Sequence, residues 1–234
     1  STANVVSYKK AKLILCDSEE DTFNVSYKSL ISKITKKTKL IIVTDLKGMP
    51  VDYDKYVELS KKIKIPIIAD SAESFGAEYK FRKVGSQLLA HTFSFFANKN
   101  ITTGEGGMVV TNNDKLEKKL RIILNQGQNR RYNHIMLGNN YRMTDISAAM
   151  GIIQLKKLNL CLKKKNDVAK IYDKYFKNIE QVEMPYIPNY VTRHSWYNYS
   201  IKVPIQKRNK LINFLNKKGI ETRLSFPPVH IQPY

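Results

Sequence analysis

The chain has 234 residues, 42% of them hydrophobic and 10% aromatic. That is enough apolar material for a sizeable core in one or two domains. No apolar run approaches the length of a membrane span and no signal peptide is visible. The two cysteines, Cys16 and Cys161, are too few and too far apart for a disulfide framework, which fits a reducing cytoplasm. The net charge is +20, from 32 lysines and eight arginines against twenty acids. Nucleic-acid sites concentrate charge and favour arginine, whereas these lysines are scattered. The charge therefore reads as a solvated surface with no nucleic-acid role, although a basic field favours an anionic substrate.

In chain order, residues 12–16 (KLILC) read as a short strand and residues 25–37 as a helix on the spacing of Leu30, Ile31 and Ile34. Residues 39–44 (KLIIVT) are a second strand. Residues 52–64 form an amphipathic helix through Tyr56, Val57, Leu59 and Ile63. A buried strand, IPIIA, then ends at Asp70. Strands alternating with helices of this length imply right-handed crossovers and a largely parallel sheet. The sheet can be mixed, since residues 80–83 and 107–111 read as strands without intervening helices. A helix follows over 114–124, then a polar loop over 125–140. Long loops in compact domains are often functional. Residues 144–178 hold one Gly and no Pro, and read as one long helix, capped by Thr144 or Asp145, that could break near Leu160. Strands over 197–203 and 220–224 flank a helix over 207–218, which Gly219 ends.

Two stretches carry chemistry. Residues 93–107 (FSFFANKNITTGEGG) deliver a lone lysine, Lys99, from an apolar strand into a glycine-rich turn. Desolvation favours a neutral amine, which can add to an aldehyde such as that of pyridoxal phosphate, PLP. Ser94 could donate a hydroxyl to a phosphate. The bland alternative is an exposed lysine in a mobile turn. Residues 65–77 (IPIIADSAESFGA) place Asp70 at the carboxyl end of a buried strand, where open α/β sheets bind ligands. A carboxylate there can keep a pyridine nitrogen protonated. The alternative is a helix N-cap, with Glu73 completing a capping box. Asn140 reads as a turn residue or cap. The four histidines show no metal-ligand spacing, so no metal is expected. GEGG lacks both the dinucleotide and the Walker pattern.

These stretches, with LGNNYRMTDISAAMGIIQLKKL at 137–158, STANVVSYKKAKLILCD at the start and GIETRLSFPPVHIQPY at the close, fall in a family's order. Over nearly the whole chain they resemble the DegT/DnrJ/EryC1/StrS sugar aminotransferases, PLP enzymes of fold type I. The likeness is nearest to perosamine-synthase-like enzymes, which aminate a 4-keto nucleotide sugar. The chain departs from the commoner His-Leu-Tyr-Gly with Asp45-Leu46-Lys47-Gly48.

The resemblance implies an α/β fold with a mixed sheet flanked by helices and a small C-terminal α/β domain. Residues 1–150 would be a partial large PLP-binding domain, 151–178 a linking helix and 179–234 a partial small domain. Lys99 would be catalytic and hold PLP, Asp70 would face the pyridine nitrogen, and Glu73 the ring hydroxyl. Ser94 would bind phosphate, as would Asn140 reaching into the neighbouring subunit of a homodimer. The implied reaction is cytoplasmic transamination of a keto nucleotide sugar, 4-keto-6-deoxy in kind, with glutamate as amino donor, for cell-surface polysaccharide or glycan synthesis. No nucleic-acid or membrane partner is expected. Alternatives are a non-catalytic fragment or binding protein of the same fold, or a sugar dehydratase, whose family members carry His in place of Lys99. Against the family both ends look cut. The resemblance sets a phosphate-binding helix start and a ring-stacking aromatic before Ser1, so the chain as given is expected to be inactive alone.

Overall fold

The computed structural model describes residues 1–233. After a short helix α1 (Asn4–Tyr8) the chain runs irregularly to α2 (Tyr27–Lys33), which Ser26 caps. The strand expected at 12–16 does not form. These residues find no ladder partner among the described residues, and Ile14 and Leu15 stay exposed. An apolar run becomes a strand only where a neighbour takes up its backbone N–H and C=O groups.

Three parallel strands build the centre: β1 (Ile41–Thr44), β2 (Ile67–Asp70) and, further along the chain, a strand at His91–Ser94. Between β1 and β2 lies α3 (Tyr53–Ile63), whose Tyr53, Tyr56 and Leu59 recur at helical spacing and are buried. Full burial of such a side chain contributes about 1.5–3 kcal/mol. The hairpin strands β3 (Glu78–Tyr79) and β4 (Arg82–Lys83) precede the third central strand, β5 (His91–Ser94). β6 (Gly107–Val110) pairs antiparallel with β5, giving the order β1-β2-β5-β6 and the expected mixed sheet.

Helix α4 (Asp114–Leu124) starts at Asn113, whose side chain accepts the Leu116 N–H at 2.9 Å. The loop expected over 125–140 folds back as a small hairpin, β7 (Gln128–Arg130) and β8 (Asn133–His134). Helix α5 (Asp145–Phe176) begins at Thr144 and runs unbroken through Leu160 for 32 residues, roughly 48 Å at the helical rise. β9 (Val191–Arg193) extends the β3–β4 hairpin into a second sheet. Helix α6 (Ile205–Lys217) follows. The strands expected at 197–203 and 220–224 are absent. Residue Lys202 makes only an isolated bridge to Glu183, and Ile220 and Leu224 are exposed, so neither stretch has a neighbour to complete a ladder.

Strand alternation gives the central sheet two faces. Val43, Ala69 and Phe93 point into the buried core. Thr44, Asp70, Thr92 and Ser94 fall on the other, half-buried face, with Asp70 in register with both Thr44 and Thr92. This polar row lies at the carboxyl ends of the parallel strands.

Directly behind the row, on the core face, Asp45, Tyr53, Ser71 and His91 form a polar cluster with at most 1% exposure. Asp45 accepts from the Tyr53 and Ser71 hydroxyls, both at 2.5 Å, and from the Val51 N–H at 3.0 Å. The Leu88 N–H donates to His91 Nε2, so the ring proton sits on Nδ1, 3.0 Å from the Ser71 oxygen. Burial raises the Asp45 carboxyl from 3.8 to about 6, against the lowering effect of its donors. Burial lowers His91 from 6.5 to about 4.

The two shifts oppose each other in stability. A raised acid loses stability as pH climbs from 3.8 to 6, and a lowered base loses it as pH falls from 6.5 to 4. In the wild type the two nearly cancel, because between these limits the native pair holds its proton on Asp45 and the unfolded chain holds it on His91. Asp45→Asn should therefore destabilise progressively as pH falls from 6.5 to 4. His91→Gln should destabilise as pH rises from 4 to 6. Each trend should be on the order of 3 kcal/mol, because a tenfold change in proton affinity between folded and unfolded chain is worth about 1.36 kcal/mol. Urea midpoints across pH 4–7 check this, and parallel slopes in the two variants would exclude the coupling.

Candidate active site

Asp70 ends β2 with its carboxylate on the polar face. Its Oδ1 accepts the Ala72 N–H at 3.2 Å and its Oδ2 accepts the Thr2 hydroxyl at 2.5 Å. No helix follows, since residues 71–76 make tight turns, so the capping reading fails. The turns carry Glu73 back toward the sheet. Its Oε2 accepts the Lys47 N–H at 2.7 Å, a contact between segments rather than a capping box. Burial raises the Glu73 carboxyl. The charges of Lys99 and Lys47 pull it down and that of Asp70 pushes it up, so both Lys99 and Asp70 stand within electrostatic reach of Glu73.

Lys99 is half-buried in the loop between β5 and β6. The loop is tied closed by its own small residues. Phe95 N–H donates to Gly106 O, Thr103 N–H to Phe95 O, and the Thr103 hydroxyl to Glu105 O at 2.7 Å. Glu105 itself is exposed and contributes its carbonyl to the turn. Ser94, at the end of β5, accepts the Phe96 N–H at 3.3 Å, which leaves its O–H free to donate outward.

The Lys99 amine lies 4.4 Å from the centre of the Tyr197 ring, a cation–π contact that the sequence reading missed because WYNYSIKV looks like a strand. The ring is held there by a staple between two turns. Ser195 N–H donates to Gly48 O at 2.9 Å, and Asn198 N–H to Lys47 O at 3.3 Å. Gly48 has φ +103°, and a Cβ there would meet the backbone nitrogens of Trp196 and Tyr197 at 2.7 and 2.8 Å. Lys47 (φ 62°) and Trp196 (φ 47°) both take the left-handed conformation that such residues rarely adopt. Backbone strain of this kind clusters at functional sites. Lys47 also shows how the chain accommodates its unusual Asp-Leu-Lys-Gly. Its side chain is buried with the amine 3.5 Å above the Phe23 ring, and burial lowers its pKa to about 8.

Asn140 makes its contacts with other residues. It is exposed, its backbone bridges Asn125, and its side-chain oxygen accepts from Arg142 Nε at 2.9 Å. Among the described residues no group of His, Cys, Asp or Glu could hold a metal ion, and no helix is long and apolar enough to cross a membrane.

The arrangement fits PLP. It offers an amine and a strand-end carboxylate that both act on the charge of the Glu73 carboxyl, and a hydroxyl on the same sheet face as Asp70.

GDP-perosamine synthase of Escherichia coli O157:H7 is 40% identical over 236 residues, covering all of this chain and 64% of that protein. Helicobacter pylori PseC, an aminotransferase involved in the biosynthesis of pseudoaminic acid, superposes with a TM-score of 0.93. That match has 29% identity and covers 99% of this chain and 64% of that one. A Streptococcus pneumoniae protein solved in its PLP form superposes with a TM-score of 0.89 at 27% identity, over 98% and 65% of the two chains. The fold is thus the mixed α/β architecture of the PLP-dependent aminotransferases. The chain spans about 64% of the length of the curated relatives it matches. The family description that matches, DegT/DnrJ/EryC1/StrS aminotransferase, runs without a break over residues 1–234, and the chain belongs to that family.

Proposed function

We propose that this chain carries the lysine half of a PLP-dependent aminotransferase acting on a keto nucleotide sugar, 4-keto-6-deoxy in kind, with glutamate as donor. The observation that carries the reading is Lys99, its amine over the Tyr197 ring and within charge reach of Glu73, which also feels the strand-end carboxylate Asp70. PLP, when bound, supplies an electron-withdrawing ring that makes the α-hydrogen of an amino acid acidic. The protein's part is to hold and move charge around it. Asp70 would keep a negative charge opposite the pyridine nitrogen. Glu73, fixed by the Lys47 N–H, would meet the ring hydroxyl, and Ser94 would donate to the phosphate. Lys99 would hold the cofactor and then, as a free amine, carry the proton between the donor's α-carbon and the cofactor. Tyr197 would orient that amine.

In the same reading residues 1–150 form part of a large cofactor domain, 151–178 a linking helix and 179–234 part of a small domain. Two copies assemble so that Asn140, exposed in its own chain, reaches the neighbour's phosphate site. The enzyme works in the cytoplasm and supplies amino sugars for cell-surface polysaccharide. The perosamine-synthase likeness supports the substrate class.

The reading is tested by extending the chain to the length of its relatives, incubating that protein with PLP, reducing with borohydride and mapping the modified peptide. With 32 lysines available, the pyridoxyl group should appear first on Lys99. Labelling spread evenly over surface lysines would sink the assignment.

A further inference from the structure

The lysines are scattered along the chain, but the fold gathers six of them at one end of the central sheet. Lys36, Lys37 and Lys39 lie in the segment that enters β1, and Lys61, Lys62 and Lys64 at the end of α3, just before β2. The Ile41 N–H donates to Pro66 O at 3.1 Å, and Ile41 is in register with Ile67. The two stretches therefore lie side by side at the amino ends of neighbouring parallel strands. The Asp70 carboxylate stands at the other end, roughly 13 Å away along four-residue strands.

All six lysines are exposed. None of the six makes an ion pair among the described residues. Acids beside them are sparse. Glu58 sits one turn back on α3. The start of α4 is tied to this end by the Thr111 hydroxyl, which donates to Leu89 O at 2.6 Å. There Asp114 is exposed and Glu117 is already paired with Arg121. Two apolar side chains border the lysines. Leu40 is 46% exposed next to Lys39, and Leu89, whose N–H donates to Ile67 O at 3.2 Å, is 37% exposed. Neither lysine stretch, TKKTKL at 35–40 or SKKIKIP at 60–66, holds an arginine or an aromatic ring.

We infer that this end of the sheet docks on an anionic phospholipid surface. The chemistry of the face selects that partner. Ammonium groups on flexible stems suit a plane of mobile phosphate headgroups, each lysine near the surface adding about fivefold in affinity. Leucines at the edge can enter the headgroup layer. A nucleic acid would be met by arginine forks or ring faces, which both stretches lack. Docking here leaves the Asp70 end of the sheet turned to water. The inference is independent of the aminotransferase reading.

The test sediments the chain, extended to the length of its relatives, with vesicles of phosphatidylcholine alone or mixed equally with phosphatidylglycerol. The protein should bind the mixed vesicles at about 0.1 M salt and leave them at about 1 M, as the screening length falls from about 10 Å to about 3 Å. It should not bind phosphatidylcholine alone. The triple variant Lys36→Gln, Lys37→Gln, Lys39→Gln should partition about a hundredfold more weakly, at about fivefold per lysine. So should Lys61→Gln, Lys62→Gln, Lys64→Gln. A control, Lys210→Gln, Lys217→Gln, Lys218→Gln, removes the same charge at α6 and should change partitioning by less than about threefold. Thermal melts should coincide, because none of the replaced side chains is buried. No binding to the mixed vesicles overturns the inference. So does binding that persists in high salt, or that weakens equally in all three variants. A labelled oligonucleotide that obeys the two sheet-end variants, in protein that ignores the vesicles, overturns it in favour of a nucleic-acid face.

Discussion

In a version of the chain extended to the length of its relatives, Lys99→Ala should reduce amino transfer by roughly four orders of magnitude or more, the scale expected if Lys99 is both covalent anchor and proton carrier. The fold should survive. Lys99 is half-buried, and its Nζ contact is to a ring face rather than to a buried carboxylate, so truncation leaves no orphaned charge in the core. The loop around it is closed by Phe95, Thr103 and Gly106, none of which depends on the lysine side chain. The melting midpoint should therefore move by only a few degrees while turnover disappears. Lys99→Arg sharpens the test. It keeps a cation that can lie over Tyr197 but cannot be deprotonated, so it can neither hold PLP covalently nor take up the substrate proton. Single-turnover transfer from labelled glutamate, with borohydride capture in parallel, reads both losses. An Arg variant that restores transfer would reduce Lys99 to a charge that orients substrate. An Ala variant with normal turnover would remove it from the chemistry altogether.

The two ends of the candidate site could be proposed from the sequence because each sits where a local pattern changes. Asp70 stops an apolar strand, and Lys99 interrupts an apolar-to-glycine transition. Such breaks are visible without tertiary information. Glu73 was visible by position but not by partner. Its hydrogen bond goes to Lys47, 26 residues away, and depends on a left-handed turn that no residue type announces at a lysine.

Tyr197 was hidden for a similar reason. The aromatic run 196–199 has strand-like composition, yet its backbone is diverted by the staple to Gly48, and that diversion turns the ring onto Lys99. Gly48 was the available clue, a glycine directly after an apolar strand and a polar turn. The Asp45–Ser71–His91 cluster was likewise out of reach. Each residue follows or begins an ordinary strand, and only the parallel register brings three strands' polar residues to one buried point. At 12–16, 197–203 and 220–224 apolar composition predicted strands that lack neighbours, since a ladder is a property of two segments and composition describes one.

Asp70→Asn should leave the fold and much of the PLP affinity in place and slow proton abstraction by about two to four orders of magnitude. The structural side of the claim rests on two contacts. The Ala72 N–H donates to Oδ1, and an asparagine carbonyl can accept that bond equally well. The Thr2 hydroxyl donates to Oδ2, and the amide NH₂ in its place can donate back to the same oxygen. Asparagine thus copies the shape and removes only the charge. On the proposed placement the loss would fall on a cationic pyridine nitrogen, where a charge-assisted hydrogen bond of about 1.5–3 kcal/mol would become a neutral one. It is felt most where the ring must withdraw electrons, so the chemical step suffers more than binding. Asp70→Glu provides the converse. It keeps the charge but reaches further, so it should recover part of the rate at a cost in affinity. The measurement is deuterium exchange at the α-carbon of glutamate in single turnover, beside PLP titration and thermal melts of each variant. Exchange in Asp70→Asn within a few fold of wild type would mean that the carboxylate serves only to close the turn at Ala72.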